Sequence, residues 1–146
     1  MHRRIVSSLA ALAALAVLLI PQQAGAQSYA ETVWNQLNRA YQQVNGDGYN
    51  TRNYIIGRMN SGASDSWTFS LPGNSTYRII GVCDNDCDDL DIAVMDGDRK
   101  VAEDVLDDDV PIVNFSSKGE TRYTIKVTMA SCKSEPCFFG IGVFYK

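Results

Sequence analysis

A run of aspartates near the middle of the chain is the strongest candidate for chemistry in this sequence. Twelve of the 17 acidic residues fall within residues 84–109. Carboxylates this close repel each other, and a hard cation such as calcium relieves the repulsion by taking about six to eight oxygen ligands. The candidate ligands of a calcium site are Asp84, Asp86, Asp88, Asp89, Asp91, Asp107, Asp108 and Asp109.

The spacing of the first aspartates matches the start of an EF-hand loop, but the rest of the pattern does not follow. The sixth position is Asp89, where the loop needs glycine, and the twelfth is Met95, where it needs a bidentate glutamate. An EF-hand is therefore excluded. Two interpretations stay open, a calcium site on the loops of a β-sandwich and a set of solvated turns whose aspartates hydrogen-bond the backbone.

Catalytic groups are few. The only histidine, His2, lies in a leader that is expected to be removed, so histidine bases and histidine metal ligands are excluded from the mature chain. Paired carboxylates would also suit a small hydrolase such as a glycosidase. Nothing in the sequence separates a buried acid from an exposed one, so a hydrolase is the alternative to a non-catalytic protein.

Four cysteines, an even number, indicate disulfides in an exported chain. Loop entropy alone favours a long-range pairing, by roughly 4 against roughly 2 kcal/mol for each short loop. Both short spacings lie in turn-like sequence, however, so we expect Cys83 to pair with Cys87 and Cys132 with Cys137. A zinc site made by all four is the alternative, although zinc favours CxxC over these wider spacings.

The first 26 residues have the parts of a secretory signal peptide. Residues 1–4 form a positive n-region through Arg3 and Arg4, residues 5–20 form an apolar h-region, and residues 24–26 form a small-x-small cleavage site. The apolar run falls short of the roughly 20 residues that span a bilayer. We expect cleavage after Ala26, no stable membrane anchor afterwards, and a bacterial protein of the periplasm or the exterior.

Removal of the leader makes the chain more acidic. Without Arg3 and Arg4, 11 of the 13 basic residues remain against 17 acidic ones, a net charge of −6. Such a surface repels nucleic acid and anionic lipid, because both bind through neutralisation of phosphate. We therefore expect no nucleic-acid partner.

Two periodicities predict the elements that position these residues. Ser28 and Glu31 form a capping box that starts an amphipathic helix over residues 28–45. Alternating apolar residues then predict a β-sandwich over residues 49–146, with turn signals between short strands. The eight predicted strands are residues 49–59, 66–71, 77–82, 90–95, 100–105, 110–115, 122–129 and 138–145.

This pattern predicts one domain over residues 27–146, an N-terminal α-helix followed by an antiparallel, jelly-roll-like β-sandwich. The predicted core consists of Val33, Trp34, Leu37, Trp67, Phe69, Leu71, Ile79, Leu90, Ile92, Val94, Ile112, Tyr123, Ile125 and Val127.

Three pieces of the predicted sandwich carry a family resemblance. They are residues 67–73 followed by Tyr77, residues 89–92, and Gly119 followed by residues 123–127. Through the order and spacing of these three pieces, the chain from residue 66 to residue 145 resembles the bacterial pre-peptidase C-terminal domain.

The resemblance implies a jelly-roll sandwich that is not catalytic, and some relatives in collagenases bind calcium and collagen. The turn from Cys83 to Cys87 and the N-terminal helix are departures from the family pattern, and we expect no attached protease. We therefore expect a free-standing, exported and non-catalytic module that binds an unidentified protein or polysaccharide, with calcium as a candidate stabilising ion.

Overall fold

The computed structural model describes residues 23–119 and 121–146, which form one helix and eight strands. The predicted signal peptide lies outside the described residues, apart from its last four, which form the first turn of the helix. The elements are α1 Gln23–Gly46, β1 Asn50–Met59, β2 Ser64–Leu71, β3 Thr76–Cys83, β4 Cys87–Asp96, β5 Arg99–Asp104, β6 Ile112–Ser116, β7 Thr121–Cys132 and β8 Cys137–Tyr145.

The strands form two four-stranded sheets. The first sheet has the order β1-β8-β3-β6 and the second the order β2-β7-β4-β5, and every pair is antiparallel. All connections except β4 to β5 cross from one sheet to the other, so the inner faces of both sheets enclose one core. This strand order is that of a jelly roll, which confirms the predicted fold class and all eight strands.

The core between the sheets follows the alternation in the sequence. Leu90, Ile92 and Val94 of β4 point inward and are fully buried, opposite inward residues of β7. Trp67 and Phe69 pack against this core while remaining partly exposed.

Two residues of the predicted core are exposed, so this part of the prediction is wrong. The exposed fraction is 41% for Trp34 and 46% for Ile112. Trp34 lies on the flank of α1, with its ring edge-on to Tyr54. Ile112 lies on β6, an edge strand of the first sheet.

Helix α1 forms a third layer on the outer face of the first sheet, where it packs on β8, β1 and β3. Val33 and Leu37 contact β8 at two outward-facing glycines, and a Cβ on Gly140 would lie 2.7 Å from Val33 Cγ1 and 2.8 Å from Leu37 Cδ1. The missing side chain therefore permits the close approach of helix and sheet. Because α1 covers the outer face of the first sheet, β3 and β8 are buried on both faces.

In the uncleaved chain, α1 begins before the predicted N-cap, so Ser28 does not cap the helix there. Because α1 begins at Gln23, Ser28 lies inside it, and its carbonyl oxygen accepts a hydrogen bond from the Thr32 hydroxyl at 3.0 Å. The preceding residues include two alanines, the best helix former, and they extend the helix past the expected cap.

Two local disulfides join the sheets at one end of the sandwich, as predicted. Cys83–Cys87 connects β3 of the first sheet to β4 of the second, and Cys132–Cys137 connects β7 to β8 in the same way. Cys87 and Cys132 occupy partner positions on β4 and β7, so the two bridges are neighbours. All four cysteines are paired.

Candidate functional site

The first aspartate of the cluster, Asp84, is a structural residue. Its exposed fraction is 2%. One carboxylate oxygen accepts a hydrogen bond from the Phe138 N–H at 2.7 Å, and the other accepts one from the Asp86 N–H at 3.2 Å. These bonds hold the turn between Cys83 and Cys87 against the start of β8.

Asp86 and Asp88 lie on the same turn with partners of their own. Asp88 forms an ion pair with Lys133, whose backbone N–H donates to the Asp86 carbonyl oxygen at 2.7 Å. Interaction of the Tyr29 hydroxyl with the nearby Asp86 carboxylate, through hydrogen bonding first and negative charge second, raises the pKa of Tyr29. This end of the cluster therefore ties the β7–β8 turn to the start of β4.

Asp89 and Asp91 belong to a second group of acids. Asp91 lies on the outer face of the second sheet, opposite Thr128. Asp89 lies where the pairing of β4 with β7 is irregular, and its Oδ1 atom is buried with no hydrogen-bond partner. Burial raises the pKa of both carboxyls above the usual 3.8, and the charges of Asp91, Asp107 and Asp108 raise that of Asp89 further.

The loop between β5 and β6 brings the last aspartates close to this group. The Leu90 N–H donates to the Asp108 carbonyl oxygen at 3.0 Å, which ties the loop to β4. Asp108 Oδ1 in turn accepts a hydrogen bond from the Val110 N–H at 3.0 Å. Asp109 is exposed in the same loop.

Seven of the eight predicted ligands thus divide into two groups. Asp84, Asp86 and Asp88 serve the disulfide-bonded turn, and the charges of Asp91, Asp107 and Asp108 act on Asp89. The eighth, Asp109, is exposed in the β5–β6 loop and belongs to neither group. Within residues 23–119 and 121–146, no three His, Cys, Asp or Glu side chains are grouped so that they could hold a metal ion. A calcium site therefore stays one of two hypotheses for these loops, and solvated turns whose aspartates hydrogen-bond the backbone are the other.

The same β5–β6 loop and the first residue of β6 carry exposed apolar side chains, of which the sequence analysis selected only Ile112, and that as a core residue. We call Val105, Leu106, Val110 and Ile112 the β5–β6 patch; their exposed fractions are 58%, 68%, 44% and 46%. The Asp104 carboxylate holds the patch together, because it accepts hydrogen bonds from the N–H groups of Leu106 at 3.3 Å and Ile112 at 2.8 Å. Val105 and Val110 were predicted at the ends of two strands, and Leu106 lies between those strands, so strand periodicity did not indicate an exposed patch.

A groove runs from the β5–β6 patch along α1. We call it the α1–β6 groove, and its volume is about 230 Å³. Its floor is formed by Ile80 and Val82 of β3, and Val110 and Ile112 form one wall. The other wall is the C-terminal half of α1, through Gln36, Arg39, Ala40 and Gln43.

A larger cavity of about 450 Å³ lies where β5 and β6, the edge strands of the two sheets, face each other. Phe115 and Tyr123 form its apolar side, and the ion pair between Arg99 and Asp96 lies at its rim. The Phe115 ring is stacked on Tyr77 at 5.3 Å and contacts Tyr123 at 5.1 Å. Both contacts belong to the core, so this ring is a poor stacking platform for a ligand.

Comparisons with known proteins add no assignment: no family model matches the chain, and no curated protein resembles it significantly. No helix in the described part of the chain is long and apolar enough to cross a membrane. The two disulfides are typical of an oxidising, extracytoplasmic environment.

Proposed function

We propose that this chain is an exported, non-catalytic interaction module that binds its partner through the β5–β6 patch. The observation that carries the proposal is the exposure of four large apolar side chains within eight residues. Large apolar side chains that are exposed close together on a protein surface commonly mark an interaction site. The resemblance to pre-peptidase C-terminal domains supports the same class of function.

The local structure favours binding at low entropic cost. Asp104 and Asp108 hold the β5–β6 loop through side-chain bonds to its own backbone, and the Leu90 N–H anchors it to β4. A loop that is already ordered loses little conformational freedom when a partner binds. The sandwich that supports it is braced across its two sheets by the disulfides.

The test is a binding screen with variants matched for exposure. Purified exported protein is screened against bacterial-envelope polysaccharides and an array of peptides. We expect Leu106→Ser to abolish binding of the ligand found and Ile56→Ser, an exposed apolar residue on the opposite edge of the first sheet, to preserve it. A ligand bound equally well by both variants would place the binding site elsewhere and contradict the proposal.

A small carboxylate-dependent hydrolase is the second candidate, because one specific observation favours it. Asp89 and Asp91 are two residues apart, and burial raises the pKa of both. Raised carboxyl pKa values are a feature of catalytic acids. Reproducible turnover of a glycan or a peptide that is lost in Asp89→Asn or Asp91→Asn would favour the hydrolase over the interaction module.

A further inference from the structure

Helix α1 leaves part of the first sheet uncovered. It packs on β8, β1 and β3, while β6 forms the edge of the sheet beyond β3. The α1–β6 groove is the space beside the helix above this edge, with Ile80 and Val82 as its floor. A second helix beside α1 would complete this outer layer, and an apolar groove with a helical wall suits the apolar face of an amphipathic helix.

The backbone of β6 offers a less suitable site for an added strand. The Ile112 N–H at the free edge already donates to Asp104 Oδ2 at 2.8 Å. β6 is also only five residues long. Short edge strands with a side chain bonded to the edge resist pairing with another strand. A partner is therefore expected to bind through side chains placed in the groove.

The negative charge of the loop beside the groove favours a partner with positive charge. Residues 107–109 are three consecutive aspartates that directly precede Val110 in the groove wall. None of the four ion pairs in the described part of the chain involves them. Complementary charge favours a cationic partner, and like charge makes an acidic partner unfavourable.

The same charge argues against a second copy of this chain. A symmetric dimer through the α1–β6 groove would bring two identical acidic loops together. Their aspartates would repel across the interface, and we expect the mature chain to have a net charge of −6. A different protein with positive charge would not be repelled by these aspartates.

From the groove, the exposed patch and the adjacent aspartates, we infer that the α1–β6 groove is a docking site for a basic amphipathic helix. This inference rests on the proposed function and specifies its partner. The apolar side chains of the helix lie against Val110, Ile112 and the floor of the groove. Its lysines or arginines lie along the wall that continues from Val110 into residues 107–109, opposite the wall of α1 that carries Arg39.

The experiment uses three synthetic peptides and the purified exported protein. The first peptide has leucine at helical i, i+3, i+4 and i+7 spacing and lysine elsewhere; the second has glutamate in place of lysine, and the third has serine in place of leucine. Binding is measured by fluorescence anisotropy. We expect the Leu/Lys peptide to bind at least about tenfold more tightly than either of the others, a ratio that corresponds to about 1.4 kcal/mol.

Protein variants distinguish binding in the groove from non-specific attraction of a cationic peptide to an acidic protein. Val110→Ser and the double variant Asp107→Asn/Asp109→Asn are each expected to weaken Leu/Lys binding by about tenfold. The matched controls, Ile56→Ser and Asp98→Asn, are expected to bind as the unmodified protein does. Asp108 is left unchanged, because its carboxylate holds the loop.

Several results would overturn the inference: equal binding of the Leu/Glu peptide, equal loss of binding in the control variants, or no binding of the Leu/Lys peptide. Dimers that Val110→Ser converts to monomers in sedimentation would show that a second copy occupies the groove instead. If the Leu/Lys peptide fails while a screened ligand still depends on Leu106, only this inference fails. If no ligand of the unmodified protein depends on Leu106 or Val110, the proposed function fails as well.

Discussion

Asp84→Asn should separate a structural carboxylate from a metal ligand. The carboxylate accepts hydrogen bonds from the N–H groups of Phe138 and Asp86, one on each oxygen, and the residue is buried. An amide has only one oxygen, so its NH2 group would face an N–H group. The variant therefore loses one charge-assisted hydrogen bond and leaves buried donors without an acceptor.

The expected loss follows from these bonds. A hydrogen bond to a charged group contributes about 1.5–3 kcal/mol, and an unsatisfied buried donor costs a similar amount. We expect the free energy of unfolding to fall by about 3 kcal/mol. For a domain of this size that corresponds to a decrease of about 10 °C in Tm.

The assay is thermal and urea unfolding in calcium and in chelator, with Asp88→Asn as the control. Asp88 is partly exposed and paired with an exposed lysine, so its loss should amount to at most about 1 kcal/mol. The decrease for Asp84→Asn should be the same in both solutions. A decrease seen only in calcium would make Asp84 a metal ligand, and unchanged stability would refute the structural role.

Four further predictions concern the acids, the disulfides and the helix. The pKa of Asp89 is raised on folding, so its contribution to stability should fall as pH rises above 3.8, and Asp89→Asn should flatten that fall in urea unfolding at a series of pH values. Melting curves in millimolar calcium and in chelator should coincide; a calcium-selective rise of about 10 °C, as expected at a hundredfold excess over Kd, would instead establish a site. Replacing Cys83 and Cys87 with serine should lower the free energy of unfolding by roughly 2 kcal/mol, and a larger loss measured by urea unfolding would contradict the loop-entropy argument. Gly140→Ala should destabilise the protein by about 1–3 kcal/mol through overpacking against α1, whereas Gly46→Ala, with no atom within 4 Å of the new Cβ, should not; equal melting temperatures would contradict this packing.

The strands were predictable because their signal is local. Leu90, Ile92 and Val94 alternate with polar residues, and a strand with one buried face needs only this period. The disulfides were predictable for a similar reason, because separations of four and five residues in turns bring the cysteines together whatever the rest of the fold does.

The helix shows which features of the fold local sequence patterns do not predict. Val33 and Trp34 belong to the same apolar stripe, but only Val33 is directed onto Gly140 of β8, and Trp34 remains exposed. The period of the stripe predicts a buried face without specifying its edges. Those edges depend on which residues of a distant strand lie underneath.

The sequence by itself determined the sandwich, the helix and the local disulfides, since each depends on the period or spacing of neighbouring residues. Only the tertiary structure decided the roles of the aspartates. Asp84 is structural because Phe138, 54 residues away, places an N–H group against it, whereas Asp89 meets the charges of a loop nearly 20 residues further along. Aspartates in one run look alike in sequence, and partners distant in the chain determine which is buried and hydrogen-bonded and which remains exposed beside the β5–β6 patch.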